Sequence, residues 1–149
     1  MENIFLETKV MWSQVDANRH MRHSAYADLA AQARLELLDR VNFSAAVLQE
    51  LQIGPVLFRE ELLYKKELHL NDQVSISCAI SRCREDGSKW SFEQKIYRGD
   101  GQEAALVRVD GAWINLRLRK ITALPAEVVQ RFLDMPKTAD FILEPAKTN

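Results

Sequence analysis

Apolar and polar positions change period along the chain, and each change marks an element. Phe5, Leu6, Val10, Met11 and Trp12 predict an opening strand over Phe5 to Trp12, and the polar stretch Ser13 to Arg22 predicts a loop. From Ser24 to Val41 the apolar residues Tyr26, Leu29, Ala30, Ala33, Leu37 and Leu38 recur at helical spacing and form one stripe. Ala25, Ala27, Ala30, Ala31 and Ala33 reinforce that helix, because Ala has the highest helix propensity. Their small side chains also suit a helix packed closely against a sheet. Ser24 or its neighbour is the candidate N-cap, and Asp28 near the first turn suits the positive end of the helix dipole. A second short helix is expected over Ser44 to Leu51, ahead of Gly54-Pro55.

After Pro55 the period becomes that of strands. Val74, Ile76, Cys78 and Ile80 alternate with Ser75, Ser77, Ala79 and Ser81, the pattern of one half-buried strand. Asp86-Gly87 and Asp100-Gly101 signal hairpin turns around a strand with Trp90, Phe92, Gln94 and Ile96 on one face. Leu106 to Leu118 reads as a long final strand. A helix follows near Ala126 to Leu133, with Pro125 at its first turn, and the tail past Pro136 is expected to be loosely attached. One long helix followed by meandering strands argues an α+β domain, a sheet wrapped around a single helix, spanning residues 1–149.

Composition narrows the function classes. The 149 residues are 47% apolar and 28% charged, which excludes disordered and collagen-like chains. Lys and Arg total 20 against 21 Asp and Glu, so the net charge of -1 offers no bulk attraction to nucleic acid. No apolar run reaches the roughly 18–20 residues that span a bilayer. Met1-Glu2-Asn3-Ile4-Phe5 lacks the basic start and apolar stretch of a secretory signal. Cys78 and Cys83 are too few for a disulfide framework. A cytoplasmic protein is expected.

The segment Trp12 to Tyr26, WSQVDANRHMRHSAY, concentrates the candidate chemistry. It places Asp16, Asn18, Arg19, His20, Arg22 and His23 in a loop that runs into the long helix. The first N–H groups of a helix lack partners and carry partial positive charge, so they can hold an oxygen that becomes anionic. Asp16 is the candidate carboxylate to attack, or to activate water to attack, a carbonyl bound there. The backbone N–H of His23 or Ser24 is the candidate oxyanion donor. Other readings are weaker. His20 and His23 with Asp16 lack the further ligand that zinc needs, and His69 stands alone in the sequence, so no metal is expected. Ser24 has no nucleophile elbow around it. Cys78, on the apolar face of its strand, reads as packing, and Arg98-Gly99-Asp100 as a turn.

At this loop the sequence resembles the hotdog-fold acyl-CoA thioesterases, in the 4-hydroxybenzoyl-CoA thioesterase-like branch. Asp16 falls on that family's catalytic Asp and Tyr26 on its helix Tyr. His20 matches the His of members reading Gly-His-Val-Asn-Asn, and His23 the active-site His of another subgroup. Ala33-Arg34, Tyr64-Lys65-Lys66-Glu67-Leu68, Asn71-Asp72 and Leu124-Pro125 echo later family motifs, so the resemblance covers roughly residues 5 to 133. The departures are Gln14 in place of a second Asp, Asn18 and Arg19 in place of loop glycines, and Arg22-His23 in place of Asn-Asn or Tyr-His.

The resemblance implies a hotdog fold and hydrolysis of an acyl-CoA or acyl-carrier thioester without a cofactor. Asp16, His23 and His20 are the implied catalytic residues, with Asp16 as nucleophile or general base. Ser24, Tyr26, Arg22 and Tyr64 are assigned to substrate binding. Arg117 and Arg119, in a basic cluster with Lys120, and the pair Lys65-Lys66 are candidate holds for CoA phosphates. A homodimer or homotetramer with shared sites is implied, the Val56 to Tyr64 segment closing the pocket of the other chain. The alternative is a binding protein of the same fold that holds the thioester without turnover.

Overall fold

The computed structural model describes residues 2–146 of the chain. Strand β1 (Ile4–Lys9) is followed by a 3-10 turn at Trp12–Gln14, helix α1 (His23–Arg40) and the short helix α2 (Ala45–Leu51). Then come β2 (Ile53–Tyr64), β3 (Gln73–Ser77), β4 (Ala79–Arg84), β5 (Lys89–Arg98), β6 (Glu103–Asn115) and β7 (Lys120–Ile121). Helix α3 (Ala126–Leu133) and β8 (Lys137–Glu144) close the described chain. The eight strands form one sheet. With α1 lying on it, this is the hotdog α+β arrangement that the sequence predicts.

β5 and β6 form the spine of the sheet. On its first edge β5 takes β3 along its C-terminal part (Ile76 opposite Ile96) and β4 along its N-terminal part (Cys83 opposite Trp90). The other edge of β5 pairs with β6, which pairs in turn with β2 from Ile53↔Asn115 to Tyr64↔Ala105. Gly111 sits at the tightest point of this spine: a Cβ there would overlap the Trp90 ring and the Val56 carbonyl. The outer edge of β2 has no strand partner among the described residues.

The inner face of the sheet carries the core. Trp90, Phe92, Gln94 and Ile96 are all buried, as their alternation predicts. Trp113 is flanked by Phe43 (5.8 Å, stacked) and Phe132 (5.6 Å, edge-on), which locks α3 and the α1–α2 connection to the sheet. α1 buries Ala25, Tyr26, Leu29, Ala30, Ala33, Leu37 and Leu38. Gln94, fully buried, ties that helix down: its Nε2 donates to the Ala30 carbonyl at 2.8 Å and its Oε1 accepts from Arg34 at 2.8 Å.

Five expectations are corrected. The opening strand ends at Lys9, because Trp12 to Gln14 turn into a 3-10 segment that begins the site loop. α1 starts at His23 with Arg22 at the N-cap position and no side-chain cap, since the Ser24 hydroxyl accepts from Arg22 Nε instead. The strand read as continuous through Val74 to Ile80 breaks at Cys78. There the N–H of Cys78 turns to the Asn3 carbonyl, and the neighbouring strand passes from β1 to β8. The long strand β6 stops at Asn115, whose side chain accepts from the N–H groups of Arg117 and Leu118 and so begins a turn. The segment past Pro136 is not loose: it forms β8, parallel to β4.

Candidate active site

The loop ahead of α1 is a small hairpin. Val15 and Met21 form a bridge, and the Asp16 N–H donates to the His20 carbonyl. Arg19 closes the turn with φ +66°, the left-handed conformation that glycine adopts without strain. This is where the resemblance placed a departure from loop glycines. Asp16 holds the turn from inside, its Oδ1 accepting from the N–H of Asn18 (2.9 Å) and of His20 (3.1 Å). One carboxylate oxygen is therefore fixed by backbone, while Oδ2 has no hydrogen-bond partner among the described residues. Asp16 is exposed, as are His23 and Ser24.

Arg22 and Ser24 are occupied with each other and with the loop. The Arg22 guanidinium reaches back to the Ser13 carbonyl as well as to the Ser24 hydroxyl, so both side chains brace the start of α1. The backbone N–H groups of His23 and Ser24 donate to no described group. They are the exposed positive end of an 18-residue helix, a place suited to an oxygen that gains negative charge.

Beside this helix start lies a depression of about 210 Å³ lined by His20, Met21, Tyr26, Tyr64, Lys65, Lys66 and Glu67. Tyr64, at the end of β2, stacks edge-on against Tyr26 at 5.0 Å, and its hydroxyl stands 3.5 Å from the His23 carbonyl. Burial raises the Tyr26 hydroxyl above its ordinary pKa, and Tyr64 adds to the effect. Lys65 is paired with Glu103, whereas Lys66 makes no ion pair among the described residues.

The structure thus brings together His20, Tyr26 and Tyr64, with the loop of Asp16, Arg22, His23 and Ser24 contiguous with them. It does not bring Arg117 and Arg119 there. They follow the end of β6, beside Ile53 at the start of β2, and Tyr64 lies eleven residues further along that strand. At 3.3 Å per residue that is about 36 Å. His20 does not group with His23 and Asp16 as ligands; it faces Glu67 and His69 instead.

A second cavity escaped the sequence reading. About 220 Å³ of space between α1 and the sheet is walled by Ala31, Leu35, Leu38, Leu57, Trp90 and Trp113, with Arg34 at its side. Burial lowers the Arg34 pKa from its ordinary value, and its polar partner is Gln94. The signal was a lone Gln on the inner face of an otherwise apolar strand.

Neither cysteine serves the site. Burial pushes the thiols of Cys78 and Cys83 up to about 12. With the folded-state value raised, both stay protonated at neutral pH. Native protein is expected to resist iodoacetamide there, with both thiols labelled only after denaturation; rapid labelling of the native form, read by mass spectrometry, would contradict this burial.

Comparison with known proteins places the chain in a class. The model of the thioesterase-like superfamily matches residues 10–132, and the chain belongs to that superfamily. A hypothetical protein from Staphylococcus aureus, solved in complex with CoA, superposes with a TM-score of 0.81 at 19% identity, covering 99% of this chain and 90% of that one. The DHNA-CoA thioesterase of Staphylococcus aureus is similar over 82% of this chain and 80% of its own, at TM-score 0.75 and 19% identity. A 1,4-dihydroxy-2-naphthoyl-CoA thioesterase from Synechocystis gives 0.77 at 16% identity, covering 89% and 97%. At these identities the likeness is one of fold. No curated protein sequence matches the chain. Among the described residues no helix is long and apolar enough to cross a membrane.

Proposed function

We propose that the protein hydrolyses acyl-CoA or acyl-carrier thioesters, with Asp16 as the reacting carboxylate. The observation that carries this reading is a carboxylate held in a tight turn just upstream of a helix whose first two N–H groups are free. The thioester carbonyl oxygen would lie against the N–H groups of His23 and Ser24. Asp16, as general base, takes a proton from water as the water oxygen bonds to the carbonyl carbon. The resulting oxyanion is held at the helix start, the C–S bond then breaks, and the departing sulfur receives a proton. As nucleophile, Asp16 would instead form an anhydride that water opens. His23, exposed at the first helical position, is placed to orient substrate or water, and His20, Tyr26 and Tyr64 wall the depression where the thioester arm would pass. The apolar cavity along α1 suits the acyl group.

Superfamily membership and a fold neighbour solved with CoA support the choice of ligand. The deciding experiment is thiol release from a panel of acyl-CoAs by purified protein. Saturable acyl-CoA binding without release would favour the second reading, a binding protein of the same fold. That reading draws on the use of Asp16 Oδ1 as a turn cap, a structural duty that needs no catalysis.

Lys66 is expected to act on the nucleotide. Lys66→Gln should raise KM for acyl-CoA about threefold to tenfold with kcat unchanged, and the salt dependence of KM should weaken. Lys65→Gln, which removes a cation already paired with Glu103, should have the smaller effect. Equal KM values for both variants and wild type would move the phosphates elsewhere.

We further propose that the working unit is a homodimer or a tetramer of such dimers. β2 offers an unpaired edge, and Leu57, Phe58, Leu63 and Tyr64 along it are exposed. Ala31 and Leu35 on α1 are exposed as well. A two-fold axis that pairs β2 with its copy would cover both surfaces.

A further inference from the structure

Beside the depression a carboxylate stands between two imidazoles. Leu68 is fully buried in the core, while its neighbours Glu67 and His69 are both exposed, the alternation of a segment that pairs across a bridge. His69 lies across an isolated antiparallel bridge from His20, which fixes the two backbones side by side. Their rings meet edge to face with centroids 5.0 Å apart. Glu67 Oε2 is 3.2 Å from His20 Nε2 and 3.7 Å from His69 Nε2. One ligand atom from each of the three residues falls within 4.8 Å of the others.

These spacings match a coordination shell. Zinc bound to nitrogen and oxygen at about 2.0–2.1 Å in a tetrahedron separates adjacent ligand atoms by about 3.3–3.4 Å. The two observed nitrogen–oxygen distances bracket that value, and a small rotation of side chains that are half-buried or exposed closes the rest. The far side of His69 is arranged as for a ligand too. Its Nδ1 is 3.7 Å from Asp72 Oδ2, and that oxygen is itself held by the His69 N–H at 2.8 Å. A small rotation of the His69 ring would close this gap to a hydrogen bond, the contact by which a carboxylate orients a metal-binding histidine. An exposed His–Glu ion pair contributes little, needs one imidazole and gives no reason for a second to converge on the same oxygen.

We propose that His20, Glu67 and His69 bind a divalent transition-metal ion of the zinc type, through two imidazole nitrogens and one carboxylate oxygen, with the remaining coordination positions open to solvent. Nothing in this site requires the hydrolase reading, and its test does not use activity. Tag-free full-length protein, stripped with chelator, is titrated with Co²⁺ followed by visible absorption and with Zn²⁺ by calorimetry. One ion per chain is expected, with Zn²⁺ displacing Co²⁺. His69→Ala and Glu67→Gln should each weaken binding about tenfold or more, and Asp72→Asn about 10–100-fold. Circular dichroism checks that the variants stay folded. If His69→Ala does not fold, Glu67→Gln, whose side chain is 66% exposed, carries the test alone. Absence of saturable binding, or binding that Glu67→Gln leaves undiminished, overturns the proposal.

Discussion

Asp16→Asn is expected to lower thioester turnover by about 100-fold or more, the range of a removed general base, while the fold persists. The substitution is informative because the turn and the proposed catalysis draw on different properties of the Asp16 side chain. Oδ1 accepts the N–H groups of Asn18 and His20 and so holds the turn. A carboxamide oxygen accepts the same two bonds, so Asn retains the hairpin and the placement of α1. What it loses is the charge and basicity of the group. Asp16→Ala removes both duties and should add a loss of stability, seen as a lower midpoint in denaturant. The comparison of kcat/KM with unfolding midpoint across the two variants then distinguishes catalysis from capping. Near-native thiol release by Asp16→Asn would make Asp16 a turn residue, and the binding-protein reading would stand in its place.

How much of this was legible in the sequence follows from what each signal measures. Periodicity reports burial along one element, so α1 and β5 were readable: Tyr26 to Leu38 make a stripe, and Trp90 to Ile96 alternate. The turns at Asp86-Gly87 and Asp100-Gly101 were readable because their glycines take φ of +74° and +86°. The break at Cys78 was not, because it comes from a change of neighbour across the sheet. Val74, Ile76, Cys78 and Ile80 are all buried, so the apolar alternation runs through the break unchanged, and only the burial of Ser77 departs from it. β8 was missed for a related reason: an edge strand held by backbone pairing to β4 needs no apolar period, and Lys137 to Asp140 show none. In the site, the loop and helix start could be located because Asp16 to Ser24 are contiguous. The meeting of His20 with Glu67 and His69 depends on a bridge between segments far apart in the chain, and no local pattern announces it.

Mixing two defective variants should restore activity if the site is shared between chains. Pairing the free edges of β2 antiparallel about a two-fold axis sets the Ile53 end of one strand beside the Tyr64 end of the other. Asn115 is opposite Ile53 within each chain, so Arg117 and Arg119 of the partner subunit would arrive next to Tyr64 and the start of α1. In one chain alone they lie about 36 Å away along β2. The Arg117→Gln/Arg119→Gln double variant should therefore be slow at low acyl-CoA, and Asp16→Asn nearly inactive. Dissociated and reassociated in equal amounts, half of the dimers are mixed. One of the two sites in each mixed dimer then has an intact Asp16 with intact arginines. Recovery of about one quarter of the wild-type rate is expected from this count. If each chain used its own arginines, every intact Asp16 would face the substituted pair, and the mixture would be no faster than half the double variant by itself. Light scattering on the same samples reports whether dimers or tetramers reassembled. A monomer active per chain at high dilution would remove the shared site altogether and leave Asp16 with groups from its own chain.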